Sequence, residues 1–227
     1  MSGEYDKLLA DSYDSLNDKE KYREEVEYIS SFLNSPVKIL DVGCGTGTHA
    51  FMLSDLGHLC VGIDISKEMI EVANRNNKSK AEFHHVSIED FLYAKEYDLC
   101  ISLFNVINHI LTIKDLRLFF ESVYYNLKDD GLFIFDCFNS IAVLNDRPVA
   151  KQKGSFHIKP HYDPFTGILK INYIGDDGFS LTHRIWDVSI LIEILRETGF
   201  DVRCCKRNTQ EEITEQDYKI TFICRRK

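Results

Sequence analysis

The chain has 227 residues, which suits one large domain or one domain that carries an insertion. Hydrophobic residues make up 44% and charged residues 28%, and this balance is typical of a globular protein with a full core. With 36 acidic residues against 27 Lys and Arg, the net charge is −9. Such a charge argues against a nucleic-acid or membrane-surface role, so we expect neither partner.

Seven cysteines are scattered through the chain without a C-x-x-C pair. This pattern disfavours a disulfide framework and a zinc module, so we expect no metal site and a reducing, cytoplasmic environment. The N-terminal residues 1–7 are polar and acidic, unlike a signal peptide. No apolar run in the sequence approaches the roughly 18 residues that a membrane-spanning helix needs.

The first half of the chain alternates helical and strand patterns. Apolar side chains at helical spacing predict a helix over 19–34. Short strands are predicted at 37–40, 60–63, 81–86, 97–102 and 131–136, and helices at 48–56 and 114–127. Gly57 suits the end of one helix, and Ser66 can cap another helix after the second strand. Strands alternating with helices predict a parallel sheet covered on both faces.

The pattern changes after residue 140. Short strands are predicted at 156–158, 168–173 and 179–188, with turns at 163–167 and 175–178 between them. These segments indicate an antiparallel β insertion over residues 141–188. A helix over 189–198 and two late strands, at 200–206 and 218–224, complete the chain. We therefore expect a single domain over residues 1–227, an α/β core with a doubly wound, mostly parallel sheet that is interrupted once by a β layer.

The most informative segment is 39–47, where a strand is followed by three closely spaced glycines and then a helix. Gly43, Gly45 and Gly47 allow a tight turn that brings backbone N–H groups against a ligand. Asp64 stands at the end of the second strand, where a carboxylate can accept hydrogen bonds from both hydroxyls of a ribose. Together these residues predict a site for an adenosine-like ligand.

Asp41 and the glycine spacing discriminate between two such ligands. The dinucleotide fingerprint is G-x-G-x-x-G, whereas this turn reads G-x-G-x-G and has Thr48 where the last glycine would stand. A carboxylate at Asp41 would repel a pyrophosphate but attract a ligand that carries positive charge. Since S-adenosylmethionine carries a sulfonium and an ammonium group, the charge pattern favours it over NAD.

The segment 39–50 resembles the first motif of the class I S-adenosylmethionine-dependent methyltransferases. The resemblance continues through three later segments, 61–66, 97–99 and 127–136. It implies a Rossmann-like fold, S-adenosyl-L-methionine as the cofactor and an N-terminal helical segment, 1–34, that folds over this cofactor.

The resemblance also implies roles for individual residues. The three glycines would face the methionine part of the cofactor, Asp41 would approach its ammonium group, and Asp64 would hold its ribose. Ile65 and Met69 would flank the adenine. The acid that often contacts the adenine amino group is replaced by Ser87, so the contact would come from Ser87, Glu89 or Asp90, or from the backbone N–H of Ile88. The expected cofactor-binding residues are Tyr22, Asp41, Gly43, Gly45, Gly47, Asp64, Ile65, Met69, Ser87, Ile88, Glu89 and Leu103.

The methyl acceptor should lie beside the segment after the fourth strand, because open α/β sheets bind ligands at the carboxyl ends of their strands. Phe104 and Asn105 would border the methyl group, and Asn108 would lie about one turn later. Methyl transfer needs an in-line approach at about 3 Å, and a base where the nucleophile is protonated. His109 is the candidate that would act as the base or position the acceptor. The alternative is that His109 only lines a helix as a hydrogen-bonded polar residue.

Two further features bear on the substrate. Tyr13 and Tyr22 lie in the N-terminal segment, where a tyrosine hydroxyl can orient an amine or bind the cofactor carboxylate, and ordinary packing is the alternative. The basic residues Arg147, Lys151, Lys153 and Lys159 have no acid among them. They either hold a phosphate or another anion, or form a solvated loop.

A narrower resemblance concerns bacterial methyltransferases that N-methylate amino sugars linked to nucleotide diphosphates. It rests on Tyr13, Tyr22, the segment 45–49 and the segment 183–188. It implies that the β insertion covers a small-molecule substrate, anionic if it is a nucleotide sugar, and that His183 and Arg184 contact it. The sequence does not fix the oligomeric state, and a homodimer is one arrangement that it allows.

We therefore predict a methyltransferase that acts on a small molecule, with N-methylation of an amino sugar or similar amine as the leading hypothesis. The nearest rival is O-methylation of a sugar or secondary metabolite. A non-catalytic S-adenosylmethionine-binding protein and an NAD-dependent oxidoreductase are the rivals from other classes.

Overall fold

A computed structural model describes residue 10 and residues 19–145, 149–153, 156–175 and 178–227. Its strands are β1 (Lys38–Val42), β2 (Leu59–Asp64), β3 (Glu82–His85), β4 (Tyr97–Ser102), β5 (Leu127–Phe138), β6 (Lys151–Lys153), β7 (Phe156–Asp163), β8 (Ile168–Ile174), β9 (Phe179–Arg184), β10 (Phe200–Lys206) and β11 (Lys219–Arg226). Its helices are α1 (Lys19–Ser30), α2 (Thr48–Asp55), α3 (Lys67–Asn76), α4 (Ile113–Asn126), α5 (Ser140–Asn145) and α6 (Val188–Thr198), with a 3₁₀ helix at Val106–His109.

The central sheet has seven strands in the order β10-β11-β5-β4-β1-β2-β3. The strands from β3 to β5 are parallel, and β11 pairs antiparallel with both β5 and β10. The chain leaves β1 toward β2 on one side and returns to β4 on the other, so the strand order reverses between β1 and β4. Ligands of open α/β sheets bind outside the carboxyl ends of the strands at such a point.

Apolar side chains cover both faces of this sheet. On one face Leu40 of β1 packs in a cluster that includes buried residues of α4 and α6. On the other face Ile39 and Leu99 pack in a cluster that includes buried residues of α1, α2 and α3. Successive residues of β1 enter different clusters because side chains alternate across a strand. The doubly wound, mostly parallel α/β fold expected from the sequence is thus confirmed.

A second, antiparallel sheet has the order β6-β7-β8-β9 and lies within the segment 141–188 that the sequence assigned to an insertion. Its register places Tyr162, Leu169 and His183 on one face. That face meets the central sheet where Leu169 packs in a cluster with Phe138 of β5 and Val143 of α5. The second sheet therefore lies beside the end of β5, next to the segment that follows β4.

Several predicted boundaries change in the structure. The strand expected over 179–188 ends at Arg184, because Asp187 instead caps α6 by accepting a hydrogen bond from the Ser189 N–H at 2.8 Å. The strand expected over 131–136 is longer, Leu127–Phe138, since it pairs with β11 along most of its length. Three further elements, α5, β6 and the 3₁₀ helix, were not among those predicted from the sequence. In the part of the chain that the structure describes, no helix is long and apolar enough to cross a membrane.

Candidate functional site

The glycine turn lies at the carboxyl end of β1 and is held against the end of β2. The N–H groups of Gly43 and Cys44 donate to the Ile63 carbonyl at 2.8 and 3.0 Å. Gly43 has φ +75°, and a Cβ there would lie 2.6 Å from a Val106 methyl group. Only glycine therefore fits at this position, both for its backbone conformation and for the space available.

The turn opens onto a cavity of about 480 Å³ at the reversal point of the sheet. The residues expected from the sequence that line this cavity are Tyr22, Asp41, Gly43, Gly45, Asp64, Ile65, Met69, Ile88, Glu89, Leu103, Phe104 and His109. Its wall also includes residues that the sequence analysis did not name as site residues, among them Cys44, Thr46, His49, His85, Val86 and Val106. The structure thus brings most of the expected cofactor residues together around one space.

Asp64 holds the glycine turn and the start of α3 in place. One carboxylate oxygen accepts the N–H of Gly45 at 2.8 Å and the other accepts the N–H of Ser66 at 2.8 Å. Burial raises the pKa of Asp64, while these hydrogen bonds and the charge of His109 act to lower it. Asp64 lines the cavity, and each of its carboxylate oxygens can accept a further hydrogen bond, so Asp64 can serve as an acceptor for hydroxyl groups of a ligand.

Asp41 is a buried carboxyl in the same wall, with an exposed fraction of 2%. Within the described residues its Oδ2 atom has no hydrogen-bond partner. Burial raises the pKa of Asp41 to about 7, repulsion from Asp64 adds to the rise, and the charge of His49 opposes it. A cationic group in the cavity would supply the missing partner and lower the cost of the buried charge. The site therefore fits a ligand with an ammonium group near Asp41.

Gly47 was expected to face the ligand, but it does not line the cavity. It has φ +85°, and a Cβ there would lie 2.7 Å from the Phe83 ring. The sequence indicates that a turn needs glycine at this position. It does not indicate whether the missing side chain leaves space for a ligand or for a neighbouring ring such as Phe83. Gly47 serves the packing of α2 against β3.

The adenine-side residues occupy the ends of β2 and β3. Ile65, Met69, Ile88 and Glu89 line the cavity as expected. Ser87 does not line it, because its hydroxyl donates to Asp90 at 2.9 Å outside the cavity. The predicted adenine contact at Ser87 therefore has no support in this geometry, whereas Ile88 and Glu89 lie where the predicted contact requires them.

An aromatic corner closes one end of the cavity. The ring centres of Tyr22 and His49 are 4.9 Å apart, and both rings contact Phe104, at 4.9 and 5.4 Å. Behind this corner the Nε2 atom of His49 lies 2.8 Å from a carboxylate oxygen of Glu25, which also pairs with Arg207. His49, Glu25 and Arg207 were not among the site residues predicted from the sequence. Glu25 could have been found, because it adjoins the apolar stripe of the predicted helix over 19–34.

Phe104 and Asn105 form a left-handed turn after β4, with φ +61° and +64°. The Asn105 N–H donates to buried Asp136 of β5 at 2.5 Å, and Lys219 of β11 binds the other oxygen of Asp136 at 3.0 Å. Phe104 lines the cavity, whereas Asn105 does not. Asp136 was also missed, although an acid within the apolar run 132–138 is a visible signal.

Asn108 was expected to bind the substrate but is fully buried and does not line the cavity. Its amide N–H donates to the Arg184 carbonyl at 2.7 Å, and its amide oxygen accepts the Phe138 N–H at 3.1 Å. Asn108 thus ties the 3₁₀ helix to both sheets. Arg184 also lies outside the cavity wall, with its guanidinium 4.8 Å from the centre of the Trp186 ring.

His109 lines the cavity, and its ring centre lies 4.4 Å from that of His183 on β9. His183 is buried behind it, does not line the cavity, and has no hydrogen-bond partner for Nδ1 among the described residues. Burial lowers the pKa of His183 well below its usual range, and the charges of His109 and Lys219 add to this effect. The ring of His183 is therefore neutral at ordinary pH.

The remaining candidates are not gathered at the cavity. Tyr13 and Arg147 lie outside the described residues. Lys151 pairs with Ile158, so the two side chains share one face of the second sheet. Lys159 follows Ile158 in β7, so its side chain lies on the opposite face. Strand alternation therefore separates these two members of the expected basic patch. Among the described residues no cluster of His, Cys, Asp and Glu side chains suits a metal ion.

Comparisons with known proteins agree with this architecture. The family model for the methyltransferase domain matches residues 39–131. A protein of Geobacillus sp. (strain WCH70), described as a "Putative methyltransferase", is 33% identical over 215 residues, which cover 83% of this chain and 84% of that protein. The dTDP-3-amino-3,6-dideoxy-alpha-D-glucopyranose N,N-dimethyltransferase of Streptomyces fradiae is 26% identical over 139 residues, 59% of this chain and 54% of that enzyme.

Solved structures share the whole fold at low sequence identity. The CcbJ methyltransferase from Streptomyces caelestis has a TM-score of 0.85 and 17% identity over 98% of this chain and 99% of that chain. An S-adenosylmethionine-dependent methyltransferase from Clostridium acetobutylicum has a TM-score of 0.78 and 17% identity over 96% of both chains. The glycine turn, the two acids of the cavity and these matches lead to one conclusion: the chain belongs to the methyltransferase family, with the fold of its S-adenosylmethionine-dependent members.

Proposed function

We propose that this methyltransferase N-methylates an amine on a small molecule, and that amino sugars attached to a nucleotide diphosphate are the leading substrate class. The observation that carries the proposal is the position of His109, in the cavity wall and 4.4 Å from the ring centre of His183. When bound, S-adenosylmethionine supplies an electrophilic methyl group on a sulfonium.

The cavity wall has groups for each part of this cofactor. Asp64 would accept hydrogen bonds from the ribose hydroxyls with the lone pairs left by Gly45 and Ser66. The ammonium group would donate a hydrogen bond to Oδ2 of Asp41, which has no partner among the described residues. The glycine turn, without side chains, would let backbone approach the methionine part. Ile65 and Met69 would flank the adenine.

His109 would take the proton that an amine acceptor carries at neutral pH. A protonated amine has no lone pair with which to attack, so a base must be in reach of it. An imidazole accepts a proton near neutral pH. The neighbouring ring of His183 is neutral, because burial lowers its pKa well below the usual range. A neutral neighbour does not repel the proton that His109 accepts.

The substrate class is supported by the relative from Streptomyces fradiae, whose name gives a dTDP-linked amino sugar as the substrate. The second sheet lies beside the acceptor position, since the ring of His183 on β9 is 4.4 Å from that of His109. A homodimer stays a prediction from the sequence.

A matched pair of acceptors tests this proposal. The enzyme would be incubated with S-adenosylmethionine and either dTDP-3-amino-3,6-dideoxyglucose or the analogue with a hydroxyl in place of the amine. We expect the amine to gain the mass of one or two methyl groups and the hydroxyl analogue to stay unchanged. Methylation of the hydroxyl analogue alone, or no transfer to any amine in a panel of amino sugars and small amines, would overturn the proposal.

A further inference from the structure

A buried chain of charged residues ends at the methionine side of the cavity. Glu25 of α1 is 1% exposed, and its two carboxylate oxygens bind different partners. One oxygen lies 2.8 Å from Nε2 of His49, and the other pairs with Arg207. His49 is the second residue of α2, in the first turn after the glycine turn, and it lines the cavity. Glu25 therefore links two distant residues, His49 and Arg207.

The geometry fixes which ring nitrogen of His49 is left for a ligand. Nε2 carries the proton that it donates to the Glu25 carboxylate, since a carboxylate can only accept. Among the described residues Glu25 is the hydrogen-bond partner of this ring, so Nδ1 is the other polar atom that it presents. Burial acts to raise the pKa of Glu25, but the hydrogen bonds and charges of His49 and Arg207 outweigh it and lower the pKa. Glu25 is therefore an anion that accepts the Nε2–H of His49.

The amino-acid end of S-adenosylmethionine carries both an ammonium and a carboxylate. Asp41 offers an unpaired acceptor oxygen for the ammonium group. The carboxylate of the cofactor needs a different partner, a cationic hydrogen-bond donor. We propose that His49, protonated and held by the Glu25–Arg207 pair, donates Nδ1–H to the carboxylate of the cofactor. This inference rests on the proposed function.

The other cavity residues able to carry positive charge are less suited to this task. Among the described residues they are Lys67, His85 and His109. Lys67 begins α3 and pairs with Glu71 at 3.5 Å. The ring of His85 contacts the Ile65 carbonyl at 3.1 Å, on the adenine side. His109 faces His183 beside the acceptor. His49 is the one that adjoins Tyr22, whose hydroxyl the sequence suggested for the same carboxylate.

The experiment compares two ligands that differ only in the carboxyl group. S-adenosylhomocysteine and S-adenosyl-3-thiopropylamine, which lacks that group, would be titrated into the wild type and His49→Gln by calorimetry. We expect the wild type to bind S-adenosylhomocysteine about tenfold more tightly, the usual effect of one charge-assisted hydrogen bond. In His49→Gln this ratio should fall to about one, because the amide can still reach Glu25 but replaces the cation.

The ratio within one variant does not depend on the fraction of folded protein. His85→Gln is the matched control, since it removes another histidine of the cavity wall, and its ratio should stay at the wild-type value. An unchanged ratio in His49→Gln would overturn the inference and leave the proposed function standing. Failure of the wild type to bind either ligand would overturn the proposed function, and the inference with it.

A second measurement needs no substitution. Nitrogen NMR of the wild type with labelled histidine distinguishes a ring with two protonated nitrogens from a neutral ring. In the complex with S-adenosylhomocysteine, both nitrogens of His49 should be protonated. A neutral His49 ring in that complex would contradict the inference even if His49→Gln did not fold.

Discussion

The two walls of the cavity are built in different ways. The cofactor wall comes mostly from one continuous stretch, 41–69, in which backbone and side-chain groups of neighbouring segments bind one another, as Asp64 binds Gly45 and Ser66. The acceptor side joins distant segments: Asp136 of β5 holds the turn at Asn105, and Asn108 binds both sheets.

This difference separates residues that contact a ligand from residues that shape its surroundings. On the cofactor side the polar atoms left without partners point to a missing ligand, as Oδ2 of Asp41 does. On the acceptor side the side-chain amide of Asn108 is used by the protein itself, in hydrogen bonds to two backbone groups. Substitutions on the two sides should therefore fail in different assays.

The largest effect is expected at Gly43. Gly43→Ala should lower the free energy of unfolding by about 2–5 kcal/mol, combining about 1–2 kcal/mol for a left-handed backbone with about 1–3 kcal/mol for the clash of a Cβ placed 2.6 Å from Val106. Gly57→Ala is the matched control, because Gly57 has φ +96° but open space around its Cβ position. Urea denaturation measures both, and equal losses would contradict the steric account.

Asp64→Ala tests the cofactor wall by ligand affinity. It should weaken S-adenosylhomocysteine binding by about 1.5–3 kcal/mol, the usual range for hydrogen bonds to a charged group. Glu71→Ala is the control, because Glu71 is an exposed acid on α3. It should change the affinity for S-adenosylhomocysteine by less than about 0.5 kcal/mol. Calorimetric titration gives both values. Unchanged affinity in Asp64→Ala would remove the ribose assignment.

Asp41 makes the stability of the ligand-free protein depend on pH. Since burial raises the pKa of Asp41 to about 7, the native carboxyl holds a proton that the unfolded one has released. Stability should therefore fall as the pH rises, by about 2 kcal/mol between pH 5 and pH 7. In Asp41→Asn this contribution is absent. Urea denaturation across this range measures it, and parallel curves for the two proteins would show that Asp41 is not the cause.

The smallest effect is expected at His183. His183→Phe keeps a ring beside Phe138 and removes an unpartnered Nδ1 atom, so the free energy of unfolding should change by less than about 1 kcal/mol. The affinity for S-adenosylhomocysteine should stay the same. Asn108→Ala, which removes the hydrogen bonds of the Asn108 amide to the Arg184 carbonyl and the buried Phe138 N–H, should cost several times more. A larger loss in His183→Phe than in Asn108→Ala would reverse this ranking.

The cofactor wall could be predicted from the sequence because local rules determine it. A glycine turn after a buried strand and an acid at the end of the next strand lie close together in any parallel sheet. Gly43, Asp41 and Asp64 line the cavity for this reason. Gly47 and Ser87 lie outside it, because the direction of a turn residue depends on packing against Phe83 and on the hydrogen bond to Asp90.

The acceptor side could be predicted only in part. The segment after β4 was found, and His109 and Phe104 line the cavity. The hydrogen bonds that fix this segment were not found, because Asp136 lies 31 residues from Asn105 along the chain and Arg184 lies 76 residues from Asn108. Contacts over such separations depend on strand order and register, which no local pattern gives.

The most direct test of the account is a crystal structure of the protein with S-adenosylhomocysteine. We expect the ribose hydroxyls within hydrogen-bond distance of the Asp64 carboxylate and the amino group beside Oδ2 of Asp41. A cavity without the ligand, or a ligand bound with neither acid in contact, would contradict it.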